Sequence, residues 1–181
     1  LILLNGPTGS GKTTVIYSAL CHIVNTLGPA ISISTVEDPV EFNLPMISQS
    51  QISNTRGFTY PKALRSLMRQ DPEAIMIGEI RDPETASIAV QAGLTGHMVI
   101  STIHSDNTAG VYARLINMDI EPFLLASSIT GILGLRLLRK ICPNCKIETK
   151  PNNEQAALLS EDYLNSTTFY TGIGCKECAD T

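Results

Sequence analysis

The sequence predicts an α/β fold, a largely parallel sheet with helices on both faces, on three observations. Short apolar runs alternate with helix-compatible stretches through residue 103. The first run, residues 1–4, leads into Gly6-Pro7-Thr8-Gly9-Ser10-Gly11-Lys12-Thr13, followed by Thr14. That is the G-x-x-x-x-G-K-[ST] pattern of a phosphate-binding P-loop, set between a strand and a helix as the motif requires. A later apolar run, residues 74–77, ends in Gly78-Glu79, a strand that delivers a carboxylate.

Taken in order, residues 1–4 read as a buried strand, and residues 13–27 as a helix stopped by Gly28-Pro29. Residues 30–36 alternate Ile31, Ile33 and Thr35 with small serines, a strand pattern that ends at Glu37-Asp38-Pro39-Val40-Glu41. A further strand is expected within 46–52. Pro61 opens a helix over 61–69, with Ala63, Leu64, Leu67 and Met68 on one face. Asp82-Pro83-Glu84 starts a helix that Gly93 stops, and residues 98–103 form a strand flanked by His97 and His104. Asn107 or Thr108 caps the next helix. Residues 122–140 are expected to be mostly helical, with breaks near Gly131 and Gly134. The domain reading is a P-loop core over 1–121, a helical segment over 122–141 and a cysteine-bounded element over 142–181.

Composition narrows the function. Hydrophobic residues make up 43% and charged residues 17%, the balance of a soluble globular core. A net charge of -4 argues against a broad basic nucleic-acid surface. No run approaches the roughly 18–20 apolar residues of a membrane span. The first residues carry neither a basic n-region nor a cleavage site. A P-loop implies a compartment with ATP or GTP, hence the cytoplasm, where cysteines serve as metal ligands or free thiols rather than disulfides. The sequence starts inside the P-loop strand and is expected to be a piece of a longer protein.

The chemistry follows from residue type and position. Backbone N–H groups of the glycine-rich loop and the positive end of the following helix face phosphate oxygens. Lys12 is suited to the β- and γ-phosphates, and Thr13 to Mg²⁺. Glu79 is a Walker-B-like carboxylate for the same metal. The acidic turn Glu37 to Glu41 sits where strand ends collect at the ligand side, so a carboxylate there can orient and deprotonate water. His97 and His104 lie at opposite ends of one strand and differ in parity, so they do not share a metal. His104 is the one near the γ-phosphate, and His97 is structural. Arg56, Arg65, Arg69 and Arg81 offer cations for the transferring phosphoryl group.

Cys142-Pro143-Asn144-Cys145 and Cys175-Lys176-Glu177-Cys178 are two C-x-x-C pairs, which present four thiolates to a tetrahedral, structural Zn²⁺. The segment between them is longer than in compact zinc ribbons and implies a small excursion. Cys21, on the P-loop helix, reads as an ordinary thiol.

Together, GPTGSGKTT, TVEDPVEF, the stretch from Gly57 through RQDPE, IGEIRDPETA, LTGHMVISTIHSDN, IEPFLLASS and RLLRKICPNC resemble the ATPases of bacterial type II secretion and type IV pilus assembly. The resemblance covers nearly the whole chain. It implies a RecA-like P-loop core, with Glu41 as the catalytic glutamate of an Asp box, Glu79 as the Walker B glutamate and His97 and His104 as a His box. Arg56 falls where the family makes basic contacts near nucleotide, and Glu37 and Arg81 are supporting positions. It implies a ring homo-hexamer on the cytoplasmic face of the inner membrane, peripherally bound. Such rings turn ATP hydrolysis into domain rotations that act on a membrane platform protein and an adaptor, with no direct nucleic-acid partner. The four-cysteine element is similar to the assembly and secretion branch rather than to retraction ATPases. An N-terminal domain that completes the site precedes this region in the family. Leu135, Asp119 and Met46 depart from the family's usual Gln, Gly and Gly. The competing reading is a zinc-containing nucleic-acid translocase of the P-loop class, against which the negative charge and 5% aromatic content count.

Overall fold

The computed structural model describes residues 1–179. The chain divides into two compact units, the first spanning Leu1–Leu137 and the second beginning at Leu138.

In the first unit, β1 (Ile2–Asn5), α1 (Lys12–Leu27), β2 (Ile33–Glu37), β3 (Ser48–Gln51), α2 (Tyr60–Leu67), β4 (Ala74–Ile77), α3 (Pro83–Leu94), β5 (Met98–Thr102), α4 (Thr108–Ile116), α5 (Pro122–Ser128) and β6 (Gly131–Gly134) follow one another. The strands form one sheet in the order β3-β2-β4-β5-β1-β6, with every neighbouring pair parallel. Helical crossovers make most of these pairings possible and cover both sheet faces, whereas β2 and β3 are joined by a ten-residue loop without a helix, residues 38–47.

Strand residues alternate between two cores, as the period of two demands. Leu3, Ile75, Ile77 and Val99 pack with α2, α3, α4 and α5 on one face. Leu4, Ala74, Met76 and Ile100 pack against Ile16, Tyr17 and Leu20 of α1 on the other. Each fully buried Leu or Ile there contributes about 1.5–3 kcal/mol relative to exposure. Asp82 caps α3 by accepting from the Thr85 N–H at 2.8 Å, and Asn107 caps α4 by accepting from the Gly110 N–H at 2.7 Å.

The segment 122–141 is not a helix throughout. Helix α5 ends at Ser128, and Gly131-Ile132-Leu133-Gly134 adds the sixth strand, in register with β1. The free edge of β1 supplies ladder hydrogen bonds that a four-residue stretch beginning and ending in glycine cannot obtain as helix. Among the described residues no helix is long and apolar enough to cross a membrane.

Two of the departures from the family pattern acquire a physical meaning. Met46 and Asp119 both adopt left-handed backbone, with φ of 64° and 61°. Asp119 closes α4 in a Schellman arrangement, in which Ile120 N–H bonds to Leu115 C=O at 3.2 Å and Asp119 N–H to Ile116 C=O at 2.9 Å. Met46 follows Pro45 in a turn before β3. Glycine adopts this conformation without a Cβ penalty, and aspartate tolerates it better than methionine. Met46→Gly is therefore expected to raise stability by about 1 kcal/mol, and Asp119→Gly by less, in urea unfolding monitored by circular dichroism. A fall in midpoint for Met46→Gly would contradict the strain argument.

The second unit pairs β7 (Lys146–Thr149) with β8 (Phe169–Gly172) antiparallel, with two short helices, α6 (Asn153–Ala156) and α7 (Glu161–Ser166), between them. Its one buried apolar residue among those described is Cys145. A unit with so little apolar core needs another source of cohesion.

Candidate active site and tetracysteine cluster

The C-terminal ends of β1, β2, β4 and β5 meet at one edge of the parallel sheet, where α/β folds bind ligands. The P-loop leaves β1 there. Its last glycine, Gly11, is the N-cap of α1 in left-handed conformation, and no side chain caps the helix and no acidic residue occupies its first turn. The N–H donors of α1 are thus left to an anion. Gly6 lies so close to the chain beyond β6 that an added Cβ would stand 2.5 Å from the Leu135 carbonyl oxygen and 2.7 Å from Ser10 Oγ. Ser10 Oγ is buried with no partner. The cradle is therefore tight and lined with unused donors, as a phosphate site requires. Lys12 Nζ donates to Gly6 O and Pro7 O, each at 2.9 Å, and partial burial draws its pKa below the usual lysine value.

A cavity of about 640 Å³ opens beside this loop. Thr8, Gly9, Gly11, Lys12, Thr13 and Thr14 line it on the α1 side, and Glu37, Asp38, Glu41, Glu79, Arg81 and His104 on the other. One Glu79 carboxylate oxygen accepts from Arg81 Nε at 2.6 Å, and the other faces His104 Nε2 at 3.2 Å. The hydrogen bond to Glu79 pushes the Arg81 guanidinium further up. Thr13 and Glu79 bring an alcohol and a carboxylate to the same cavity, an all-oxygen donor set that fits a hard divalent cation.

The acidic turn separates into two environments. Glu37 is buried, and its carboxylate accepts from Tyr17 Oη, Thr35 Oγ1 and Gln49 Nε2. With its lone pairs engaged, Glu37 anchors structure. Glu41 is exposed at the cavity wall and can act on water.

Other candidates lie apart. His97 sits at the opposite end of β5 from His104, with Nδ1 3.2 Å from Thr95 Oγ1 and 3.3 Å from Ala92 O. It stabilises the turn after α3. Arg56 is exposed on the single turn Asn54–Arg56, outside the cavity lining. Arg65 pairs with Glu84 at 2.7 Å in a groove it shares with Arg69 between α2 and α3. Two lining residues, Phe42 and Tyr60, and the buried Tyr17 behind them, which accepts from the Glu41 N–H, were not anticipated as site residues. Tyr17 carried one legible signal, its place one helical turn beyond Thr13 on the same face. Burial raises the Tyr60 phenol well above its ordinary value, which keeps it a neutral donor.

In the second unit, the four sulfurs of Cys142, Cys145, Cys175 and Cys178 lie within 4.8 Å of one another. Cys142–Cys175, Cys145–Cys178 and Cys175–Cys178 are 3.9, 3.8 and 3.7 Å apart. These spacings far exceed a disulfide bond. They match the edge of a sulfur tetrahedron around a metal at about 2.3 Å, which is about 3.8 Å. Burial raises the Cys145 thiol, whereas backbone hydrogen bonding at Cys175 lowers Cys178.

Known proteins are similar to this chain in sequence and in fold. A type IV pilus assembly ATPase PilB of Myxococcus xanthus is 48% identical over 99% of this chain and 32% of its own length. A type II secretion system ATPase E of Vibrio cholerae is 44% identical over 98% of this chain and 35% of its own. Among solved structures, the pilus retraction motor PilT with bound ADP superposes with a TM-score of 0.67 at 36% identity, covering 78% of this chain and 43% of that one. The chain thus spans about a third of the length of the curated relatives it matches. The model of the Type II/IV secretion system protein family matches residues 1–181, and the chain belongs to that family.

Proposed function

We propose that this chain is the ATP-hydrolysing region of a motor that drives type II secretion or type IV pilus assembly. The observation that carries the reading is the convergence of Lys12, Thr13, Glu41, Glu79 and His104 on one cavity. Lys12 and the loop N–H groups bind the β- and γ-phosphates. Thr13 and Glu79 hold Mg²⁺, which when bound offsets phosphate charge. Glu41 takes the proton of the attacking water, and His104, joined to Glu79, senses the γ-phosphate. Arg81 orients Glu79. Zn²⁺ in the tetracysteine cluster is structural, since four thiolates leave no open coordination position.

The motor works as a homo-hexamer, with arginines from the part of the protein preceding this chain completing each site. It sits in the cytoplasm, peripherally on the inner membrane, and acts on a platform protein and an adaptor. Relatives named as secretion and pilus assembly ATPases support this reading.

In the full-length protein, Lys12→Ala is expected to abolish both binding of a fluorescent ATP analogue and hydrolysis. Retained tight binding by that variant would remove the P-loop from the assignment.

A further inference from the structure

We propose that Tyr17 is a positioning residue that sets Glu41 relative to the phosphate cradle. The proposal rests on the reading that Glu41 activates water. Tyr17 lies on α1, whose first residues are Lys12 and Thr13, and it is 2% exposed. Its hydroxyl donates to Glu37 Oε2 at the start of the acidic loop. The same oxygen accepts from the Glu41 backbone N–H at 3.4 Å and from Gln49 Nε2 at 3.5 Å. Its ring meets Phe42 edge-on, with centroids 4.7 Å apart and an interplanar angle of 83°. One side chain therefore touches the loop at residues 37, 41 and 42.

Gln49 of β3 ties down the rest. Its Nε2 donates to Glu37 Oε1 at 3.0 Å and to Phe42 O at 3.3 Å, and its Oε1 accepts from Leu44 N–H at 2.6 Å. A further tie runs from the Val40 N–H to Gln51 Oε1 at 3.1 Å, and none of these hydrogen bonds ends on Glu41's own carboxylate. The carboxylate stays available while its backbone is referenced to the helix that carries the phosphate ligands. Burial, reinforced by Glu37, pushes the Tyr17 phenol up to about 12, so the hydroxyl keeps its proton for Glu37 across the neutral range.

A reacting group misplaced by about 1 Å can lose roughly 100-fold in rate. Tyr17→Phe keeps the ring and removes the hydroxyl. In the full-length protein it is expected to lower kcat by roughly 10–100-fold. KM for ATP and the Kd of a fluorescent ATP analogue should stay within about twofold. Tyr17→Phe also removes a donor from a buried carboxylate, which lowers Tm. A stabilising osmolyte such as trimethylamine N-oxide relieves that burden without replacing the hydroxyl, so Tyr17→Phe in its presence should recover Tm but not kcat. An unchanged kcat in Tyr17→Phe, or kcat that returns together with Tm, would overturn the proposal. If Tyr17→Phe does not fold, Gln49→Met decides instead. It releases the loop from β3, and an unchanged kcat there counts against loop positioning. Glu41→Gln is run alongside. Normal turnover in that variant defeats the reading of Glu41 itself, whereas an inactive Glu41→Gln beside a fully active Tyr17→Phe defeats this inference alone.

Discussion

Glu41→Gln in the full-length protein is expected to bind ATP as tightly as the unmodified protein and to hydrolyse it about 10²–10⁴-fold more slowly, the usual worth of a positioned general base. The substitution is isosteric, and it removes the negative charge and with it the capacity to accept a proton. Glu41 stands at the cavity wall, opposite the P-loop side, and its side chain is not engaged in holding the fold. Glu37, four residues earlier, gives the contrasting case. Its carboxylate is buried under three donors, so Glu37→Gln is expected to act first on stability and loop position. Binding measured with a fluorescent nucleotide and turnover measured by phosphate release separate the two. Normal phosphate release by Glu41→Gln would take the base away from this residue.

Removal of the metal is expected to unfold the unit that begins at Leu138. Structural zinc contributes about 10–16 kcal/mol of apparent free energy to small domains of this kind at neutral pH. The unit buries no apolar residue besides Cys145 among those described, so nothing of comparable size replaces that term. The full-length protein should carry one zinc per chain, and Cys142→Ser should lose most of it. A strong chelator should then open the unit to trypsin at Lys146, Lys150 and Lys176, all on its exposed or half-exposed surface. Mass spectrometry of the fragments reads this directly. Protein that is free of zinc yet equally resistant to trypsin would assign the cohesion to something other than metal.

Much of the site was legible because its determinants are local. The P-loop is contiguous, and its strand–loop–helix context is written in consecutive residues. The opposite placement of His97 and His104 followed from strand length alone, since a five-residue strand separates their ends. Strand β6 was not legible as a strand. Its four residues, two of them the end glycines, have no period of their own, and their conformation comes from the open edge of β1. The glycine preference at positions 46 and 119 was visible only as a departure from a family pattern, and positive φ gives it a cause.

The sequence by itself determined the P-loop, the alternating sheet, the carboxylate at the end of β4 and the two cysteine pairs. Each depends on residues within one element or one turn of each other. The tertiary structure decided between carboxylates of identical chemistry, burying Glu37 under Tyr17, Thr35 and Gln49 and leaving Glu41 open. It joined His104 and Arg81 to Glu79, and it drew sulfurs 33 positions apart to 3.9 and 3.8 Å. Burial and hydrogen-bond partnership arise between elements distant in the chain, so no local pattern encodes them, and those two quantities tell an anchoring carboxylate from one free to accept a proton.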